Sequence, residues 1–245
     1  MIEANADLER AMNDRFRGHD DRDFMVWADE HAYQQASDIS AAATKAWIGR
    51  KKLNYRGIRD RKSLTHLIAG NVDQSFLEEI GCLTQLERLE LEWPMVARDL
   101  SPLLALPKLR FLSIDSPRHI SSFASLLELP SLRTLILTDA KLMEDLRWLS
   151  DAHALEVVGI EGGTFATQKI PSLAPLAGLS ELKAFLGVST ALADQDLQPL
   201  ATCLKLEFLG IAQVASKEQF EGLKAAKPGL VCSWFRPEMW GQHGA

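Results

Sequence analysis

The densest run of potential metal ligands in the sequence is His19-Asp20-Asp21-Arg22-Asp23, where carboxylates adjoin an imidazole. Carboxylate and imidazole side chains bind divalent cations, but neighbouring residues of a regular element point in different directions and cannot all face one ion. The run also lacks the spacing of a calcium-binding loop and of the HExxH zinc motif. We therefore interpret it as a solvated acidic turn and expect no metal or other cofactor.

The cysteines supply no reactive site that spacing can identify. Cys82 and Cys203 fall at positions expected to be buried, whereas Cys232 is the candidate exposed thiol, and no neighbouring residue would clearly activate it. Their odd number and the absence of a CxxC pair argue against a disulfide framework or a zinc cluster. Because phosphate-binding glycine loops and an assignable Ser-His-Asp set are also missing, we predict that the chain is not an enzyme.

The net charge of −6 conceals an uneven distribution of charged residues. Residues 1–44 carry a net charge of −6, residues 45–62 hold eight basic residues and one acidic residue, and residues 63–245 carry −7. No apolar run approaches the length of a membrane span, and the first residues show no apolar secretory segment. We expect a cytoplasmic protein that does not enter a membrane.

Apolar residues at regular spacing would position any functional side chains. The pattern apolar-x-x-apolar-x-apolar recurs eight times from residue 64, with first-position spacings of 22 to 27 residues. The sets are Leu64/Leu67/Ala69, Leu86/Leu89/Leu91, Leu109/Leu112/Ile114, Leu132/Leu135/Leu137, Leu155/Val158/Ile160, Leu182/Phe185/Gly187, Leu206/Leu209/Ile211 and Leu230/Ser233/Phe235. Alternation within each set predicts a short strand with one buried face. Between most strands, apolar residues recur every third position, which predicts a short 3₁₀ or α turn.

These repeats resemble the leucine-rich repeat family, most closely in LTQLERLELEWPMVARDLSPLLALPKL and LPSLRTLILTDAKLMEDLRWL, and the resemblance covers residues 63–236. It implies an α/β leucine-rich repeat solenoid of about eight repeats, with a parallel concave β-sheet and short helical turns on the convex side. The sequence departs from the family where an asparagine is expected after each strand; residues such as Val72, Pro94 and Ala140 stand there instead. The fifth unit, of 27 residues, is expected to bulge.

Both ends of a solenoid need a cover over the core. We predict that residues 1–62 form a helical N-terminal capping region, with helices near residues 7–16 and 38–47 and apolar cover from Phe24, Val26, Trp27 and Trp47. Residues 63–236 would form the solenoid, and residues 237–245 a loose C-terminal tail. Trp234 and Trp240 would close the last repeat or stay partly exposed.

Residues that alternate with the buried strand positions form the expected binding face. They combine an acidic group over the second to fifth units with a band of apolar side chains, which suits a protein partner with a basic surface. The candidate partner-binding residues are Arg88, Glu90, Glu92, Trp93, Phe111, Ser113, Asp115, Thr134, Ile136, Asp139, Val157, Glu161, Leu186 and Phe208. The alternative is that the acids only solubilise the protein and that its own loops cover the apolar band.

We therefore predict a non-catalytic protein-binding module, monomeric when free, with an inhibitor or immunity-type protein that neutralises a toxin or enzyme as the narrower hypothesis. A scaffold subunit of a larger assembly, docking through the convex side or the C-terminal tryptophans, is the alternative. The basic residues 45–62 suggest nucleic acid, but no binding motif accompanies them and the acidic remainder would repel phosphates. We expect those bases to pair with the acids of residues 1–44 or to solvate the cap. Catalysis by residues 1–62 is disfavoured because the segment is short.

Overall fold

The strands and helices of the protein are seen in a computed structural model that describes residues 2–18 and 24–240, with side chains for residues 6–18 and 27–240. The chain divides into two compact units, which we call unit I (residues 22–143) and unit II (residues 1–21 together with 144–245). The run His19–Asp23 and the side chains of Phe24 and Val26 lie outside the described residues.

Unit I contains five parallel strands that pair in chain order. They are β1 (Lys45–Gly49), β2 (His66–Gly70), β3 (Arg88–Glu92), β4 (Phe111–Asp115) and β5 (Thr134–Thr138). Each strand is in register with the next, so that Leu67 lies beside Leu89, and Leu89 beside Leu112. Successive residues point to opposite faces, and the leucines on the inner face form a continuous ladder.

Unit II contains three further strands of the same kind and one small extra sheet. The strands are β6 (Val157–Glu161), β8 (Ala184–Gly187) and β10 (Phe208–Ile211), and β8 pairs in parallel with the other two. The extra sheet pairs β7 (Gln168–Ile170) with β9 (Thr190–Leu192). Strand β7, with the preceding loop that carries a fully exposed Phe165, accounts for the long fifth unit. Only glycine fits at 162, where an added Cβ would approach the Ser189 carbonyl oxygen closely.

Short helices and 3₁₀ turns return the chain from one strand to the next. The helices are α1 (Ile2–Arg17), α2 (Phe24–His31), α3 (Gln74–Ile80), α4 (Gln198–Ala201) and α5 (Lys217–Ala226). The 3₁₀ turns are Ala36–Asp38, Ile58–Asp60, Ser101–Ala105, Ala124–Glu128, Arg147–Asp151, Ala174–Leu176, Ser233–Phe235 and Pro237–Trp240. Proline occupies an early position in several of them, where its missing N–H costs little. Among residues 2–18 and 24–240, no helix combines the length and apolar character needed to cross a membrane.

The predicted repeat core is confirmed. In the first seven predicted sets, from Leu64 to Ile211, every residue is buried, as are the apolar positions spaced by three in the intervening turns. The eighth set differs, because Leu230 is buried whereas Ser233 and Phe235 are half-exposed. Strands, turns and buried leucines together give the α/β leucine-rich repeat fold that the sequence predicts.

The series of strands begins and ends one unit earlier than the leucine pattern suggests. Residues 45–49, placed by the sequence in the N-terminal cap, form β1 and pair with β2 through five residues on each strand. The helix predicted over residues 38–47 is therefore wrong, because Ala46 and Ile48 alternate inward as strand residues. At the other end Val231 makes a single bridge to Phe208, and the chain then turns away in a 3₁₀ turn.

Each terminal strand is covered by a short segment. After α2, Ala32 forms a bridge with Trp47 of β1, while Trp27 of α2 packs against the ring of His66 at 4.9 Å between centroids. At the C-terminal end Trp234 packs against Phe220, and its indole N–H donates to the Ile211 carbonyl at 2.9 Å. Trp234 thus closes the last repeat.

Candidate functional site

The predicted binding residues lie on the outward face of the strands, opposite the leucine ladder. In unit I they form what we call the acidic face, which comprises Glu90, Glu92 and Trp93 of β3 and its end, Asp115 of β4, and Asp139 directly after β5. In register across the strands, Arg88 lies beside Phe111 and Glu90 beside Ser113, so residues far apart in sequence become neighbours. The repeat spacing of the sequence produces this alignment.

At one edge of the acidic face, Glu90 is fully paired. Arg88 Nε donates to Glu90 Oε1 at 2.8 Å, His66 Nε2 lies 3.3 Å from the same oxygen, and the Arg88 guanidinium stacks over the Phe111 ring at 3.6 Å. Burial alone would raise the pKa of Glu90, but the hydrogen bond from His66 and the charge of Arg88 outweigh it and hold the pKa at about 2. Glu90 and Arg88 form a rigid structural pair.

Glu92 is held differently, by a neutral donor. Its carboxylate lies over Gly70 of the neighbouring strand, where an added Cβ would come 3.7 Å from Glu92 Oε2, and accepts a hydrogen bond from Trp47 Nε1 at 2.8 Å. Burial raises the pKa of Glu92, the Trp47 hydrogen bond lowers it, and the charges of Glu90 and Asp115 raise it; the net change is upward. The hydrogen bond from Trp47 therefore does not fully offset the free-energy cost of burying the ionised Glu92 carboxylate beside other negative charges.

Asp115 and Asp139 continue the same cluster towards β5. Ser116 Oγ donates to Asp115 Oδ1 at 2.8 Å and lies 3.3 Å from Asp139 Oδ2, so one hydroxyl lies between two carboxylates. Burial raises the pKa of Asp115, and the Ser116 hydrogen bond only partly offsets burial and the charge of Asp139. Lys141 Nζ lies 3.6 Å from Asp139 and supplies a mostly exposed positive charge. The centre of the acidic face thus lies at Glu92 and Asp115.

Trp93 provides the large apolar surface of this face. It follows β3 directly, and 62% of it is exposed to solvent. Elsewhere on this face Phe111, Ser113 and Thr134 are half-exposed, whereas Ile136 is 4% exposed and offers little contact area. Tryptophan is enriched in protein interfaces, and charged groups around such an anchor set the electrostatic complementarity with a partner.

In unit II the structure corrects the predicted site, because the chain's own N-terminal helix covers it. Val157, Leu186, Phe208 and Glu161 are each no more than 5% exposed. Phe16 of α1 stacks on Phe208 with centroids 5.9 Å apart, and the helix contacts β10. The expectation that these residues are exposed is wrong, and the alternative of a cover from the same chain holds here. Helix α1 thus lies on unit II, although the sequence assigns it to a cap on the first repeat.

Two further expectations about reactive and basic residues are corrected. Cys232 is not exposed: it is buried beside Leu8 and Glu9 of α1, and burial raises the pKa of its thiol to about 12.

Basic residues 50–62 make contacts within unit I. Arg50 pairs with Asp73 at 3.2 Å, and Lys62 donates to the Cys82 carbonyl at 2.8 Å, so acids of residues 1–44 are not their partners in these contacts. Among the described residues, no group of three or more His, Cys, Asp or Glu could hold a metal ion.

Solved structures with the same architecture support the fold. Internalin C2 from Listeria monocytogenes is 24% identical, with 70% of each chain covered and a TM-score of 0.50. A leucine-rich repeat protein from Leptospira interrogans is 18% identical, with a TM-score of 0.56. The chain has the leucine-rich repeat fold. The match covers 81% of this chain and 51% of the Leptospira protein, so it spans about half of that protein's length. No protein-family model and no curated protein matches the sequence.

Some functional residues escaped the sequence interpretation. Trp47 contacts Glu92, and His66 contacts Glu90. Trp47 precedes the leucine pattern and His66 lies in its first repeat, so only the strand register brings them close to β3. Asn71, Ser116, Asp139 and Ser189 adopt positive φ angles after their strands. Asn71 and Asp139 are of the types that adopt this conformation most readily, which is a signal that the sequence did contain.

Proposed function

We propose that the protein is a non-catalytic protein-binding module whose acidic face in unit I binds a basic protein. One observation carries this proposal: Glu92 and Asp115 are half-buried, accept hydrogen bonds from neutral donors, and have raised pKa values beside a tryptophan that is 62% exposed. In the free protein their negative charges repel each other in a partly desolvated site. A lysine or arginine of a partner would relieve that repulsion.

The two kinds of contact would have separate effects on binding. The carboxylates would accelerate encounter with a basic surface and fix its register, whereas Trp93 would supply the desolvated anchor that provides much of the affinity. A narrower form of the proposal is an inhibitor or immunity-type protein, in which occupation of this face masks the active surface of a toxin or enzyme. Its cellular location would then be the cytoplasm.

The test is a comparison of two baits in affinity capture from the source cell, followed by measurement with purified components. The face variant carries Glu92→Gln, Asp115→Asn and Trp93→Ala. The control carries Glu78→Gln, Glu128→Gln and Leu53→Ala, which remove the same number of charges and one exposed apolar side chain elsewhere in unit I. We expect the true partner to be retained by the wild type and the control and lost by the face variant.

Affinity of the purified pair should then depend on pH in a defined direction. Because burial and the neighbouring charges raise the pKa of Glu92, this carboxyl loses its charge, and with it its attraction for a cation, at a higher pH than an ordinary glutamate does. Calorimetry should show at least about a tenfold weaker affinity at pH 4.5 than at pH 7.5, and a steep loss with added salt. A partner held equally by both baits, or with no pH dependence, would count against the proposal. Loss of the partner's activity in a stoichiometric complex would establish the inhibitor form.

No observation favours the scaffold or the nucleic-acid alternative. The scaffold hypothesis names the convex side or exposed C-terminal tryptophans as the docking surface, and of these tryptophans Trp234 and Trp240 pack against each other with centroids 5.4 Å apart. The nucleic-acid hypothesis relied on a free basic band, yet Arg50 and Lys62 are engaged in contacts that fix the first repeat.

A further inference from the structure

The outward face of the unit II strands alternates small and large side chains, a surface on which a helix can pack. Across β6, β8 and β10 the residues in register are Val157, Ala184 and Phe208 in one row, and Gly159, Leu186 and Gly210 in the next. We call this surface, together with Glu161 at the end of β6, the helix-covered face. Gly159, Gly210 and Ala184 have no side chain or only a methyl group, so that a helix can approach the strands closely beside Leu186 and Phe208.

Helix α1 occupies this face through few anchors. Phe16 stacks on Phe208, and Arg17 makes a bidentate ion pair with Glu161, with Nη1 to Oε2 at 2.9 Å and Nη2 to Oε1 at 2.5 Å. Arg236 pairs with Glu9 at 3.0 Å. Phe16 is the one buried side chain among residues 6–18, and Leu8 remains 47% exposed. Arg15 also lies 3.4 Å from Glu207 in a largely exposed ion pair. Among residues 6–18, one aromatic ring and three ion pairs thus hold α1, which makes the helix a candidate for reversible release.

The chemistry of the face selects its occupant. Glu161 is 5% exposed, and a carboxylate at that depth requires a cation, preferably the planar guanidinium that can pair with both oxygens. Leu186 and Phe208 require an apolar, preferably aromatic, partner. Two adjacent helical residues, one aromatic and one arginine, meet both demands in α1.

We propose that the helix-covered face is a binding site for an amphipathic helix of a partner protein that presents an aromatic residue followed directly by arginine, and that α1 fills this site in the free protein. The partner helix displaces α1 and repeats its stacking on Phe208 and its pairing with Glu161. This surface shares no residue with the acidic face, so the inference does not depend on the proposed function. It recognises an arginine in a buried pair, whereas the acidic face offers half-buried carboxylates around Trp93.

The probe is a fluorescein-labelled synthetic peptide of residues 2–18, added to the full-length chain. In the open variant, Phe16→Ala with Arg17→Glu, the internal helix loses its contacts with Phe208 and Glu161. We expect the open variant to bind the peptide at least tenfold more tightly than the wild type, by fluorescence anisotropy. A peptide with the same two substitutions should bind neither chain. The matched control is Arg10→Glu, an exposed arginine of the same helix, which should behave as the wild type.

The native cysteines report the release of α1 independently. Cys232 borders the same cavity as Leu8 and Glu9, whereas Cys203 is buried at a turn, with its thiol 3.1 Å from the Leu176 carbonyl oxygen. Maleimide labelling followed by peptide mapping should show Cys232 reacting at least tenfold faster in the open variant, with Cys203 unchanged. The double variant Arg17→Glu with Glu161→Arg restores the pair with reversed charges and should return Cys232 to slow labelling.

The proposal is overturned if the open variant keeps Cys203 protected yet binds the peptide no more tightly and labels Cys232 no faster than the wild type. If the open variant fails to fold, the milder Arg17→Gln variant decides by the same two measurements. Sedimentation of the wild type gives the remaining outcome: a dimer that exchanges α1 between copies would show that the occupant is a second copy, and would overturn the assignment to a foreign helix.

Discussion

Glu90 and Glu92 are two residues apart on one strand and point to the same face, yet their carboxylates behave in opposite ways. The His66 hydrogen bond and the Arg88 charge overcome the burial of Glu90, whereas Glu92 has only the Trp47 indole to set against burial and neighbouring charge. Residue type and alternation predicted that both would share this face. Their partners could not be predicted, because those come from other strands through the register.

The low pKa of Glu90 makes a contribution to stability that depends on pH. Since its folded pKa of about 2 lies below the ordinary 4.5, the contribution is complete above about pH 4.5 and is lost as pH falls towards 2. We expect Glu90→Gln to lower the free energy of unfolding by about 2 kcal/mol at pH 7 and by less than about half of that at pH 3. Urea denaturation at both pH values measures this.

The control for Glu90 is Glu87→Gln, which removes an exposed carboxylate just before the same strand. It should leave the free energy of unfolding within about 0.5 kcal/mol of the wild type at both pH values. Equal losses for Glu90→Gln at pH 7 and pH 3 would show that its ion pair with Arg88 does not stabilise the fold.

At the scale of the element, the leucine pattern located strands β2 to β6, β8 and β10 but not β1. Two buried positions with the small Ala46 and a single isoleucine, set among basic residues, do not match the leucine sets that follow. Pairing with β2 organises this strand, and such long-range pairing is absent from local sequence. The sequence predicts a helix near α1 but not the surface that this helix covers, because the periodicity of a helix does not indicate where it packs.

If β1 is a true repeat strand, its inward side chain must stabilise the protein as a core leucine does. Ile48 is 1% exposed, and the substitution Ile48→Ala should lower the free energy of unfolding by about 2–4 kcal/mol, as Leu67→Ala should. Leu53→Ala, at a site 55% exposed, should cost less than about 0.5 kcal/mol. Chemical denaturation of the three variants compares them. An Ile48→Ala cost no larger than that of Leu53→Ala would mean that β1 is not part of the core.

At the scale of the whole molecule, stacked repeats leave two terminal strands whose backbone groups could pair with other chains. Tyr33 N donates to the Trp47 carbonyl at 2.8 Å beside β1, and Leu209 N donates to the Val231 carbonyl at 2.9 Å beside β10. Each edge strand is thus met by a short segment instead of a full strand. Such cover protects an edge against association without adding a repeat.

Trp234 anchors the cover on β10, so its removal should expose that edge. Trp234→Ala should lower the free energy of unfolding by about 3 kcal/mol, because a side chain only 8% exposed leaves a cavity against Phe220. The variant should also form soluble oligomers or aggregates, measured by light scattering after size exclusion. Trp93→Ala, at a site 62% exposed, is the control and should stay as dispersed as the wild type. A dispersed and equally stable Trp234→Ala variant would contradict the assigned capping role.

The loop of residues 162–167 has a practical consequence for engineering. Phe165 is fully exposed there, while β6 before the loop and β8 further along the chain pair through their backbones without contribution from the loop. The extra residues of this turn therefore do not displace any buried leucine. The turn is therefore a natural position for an inserted reporter domain or for new chain termini, either of which would leave every strand intact.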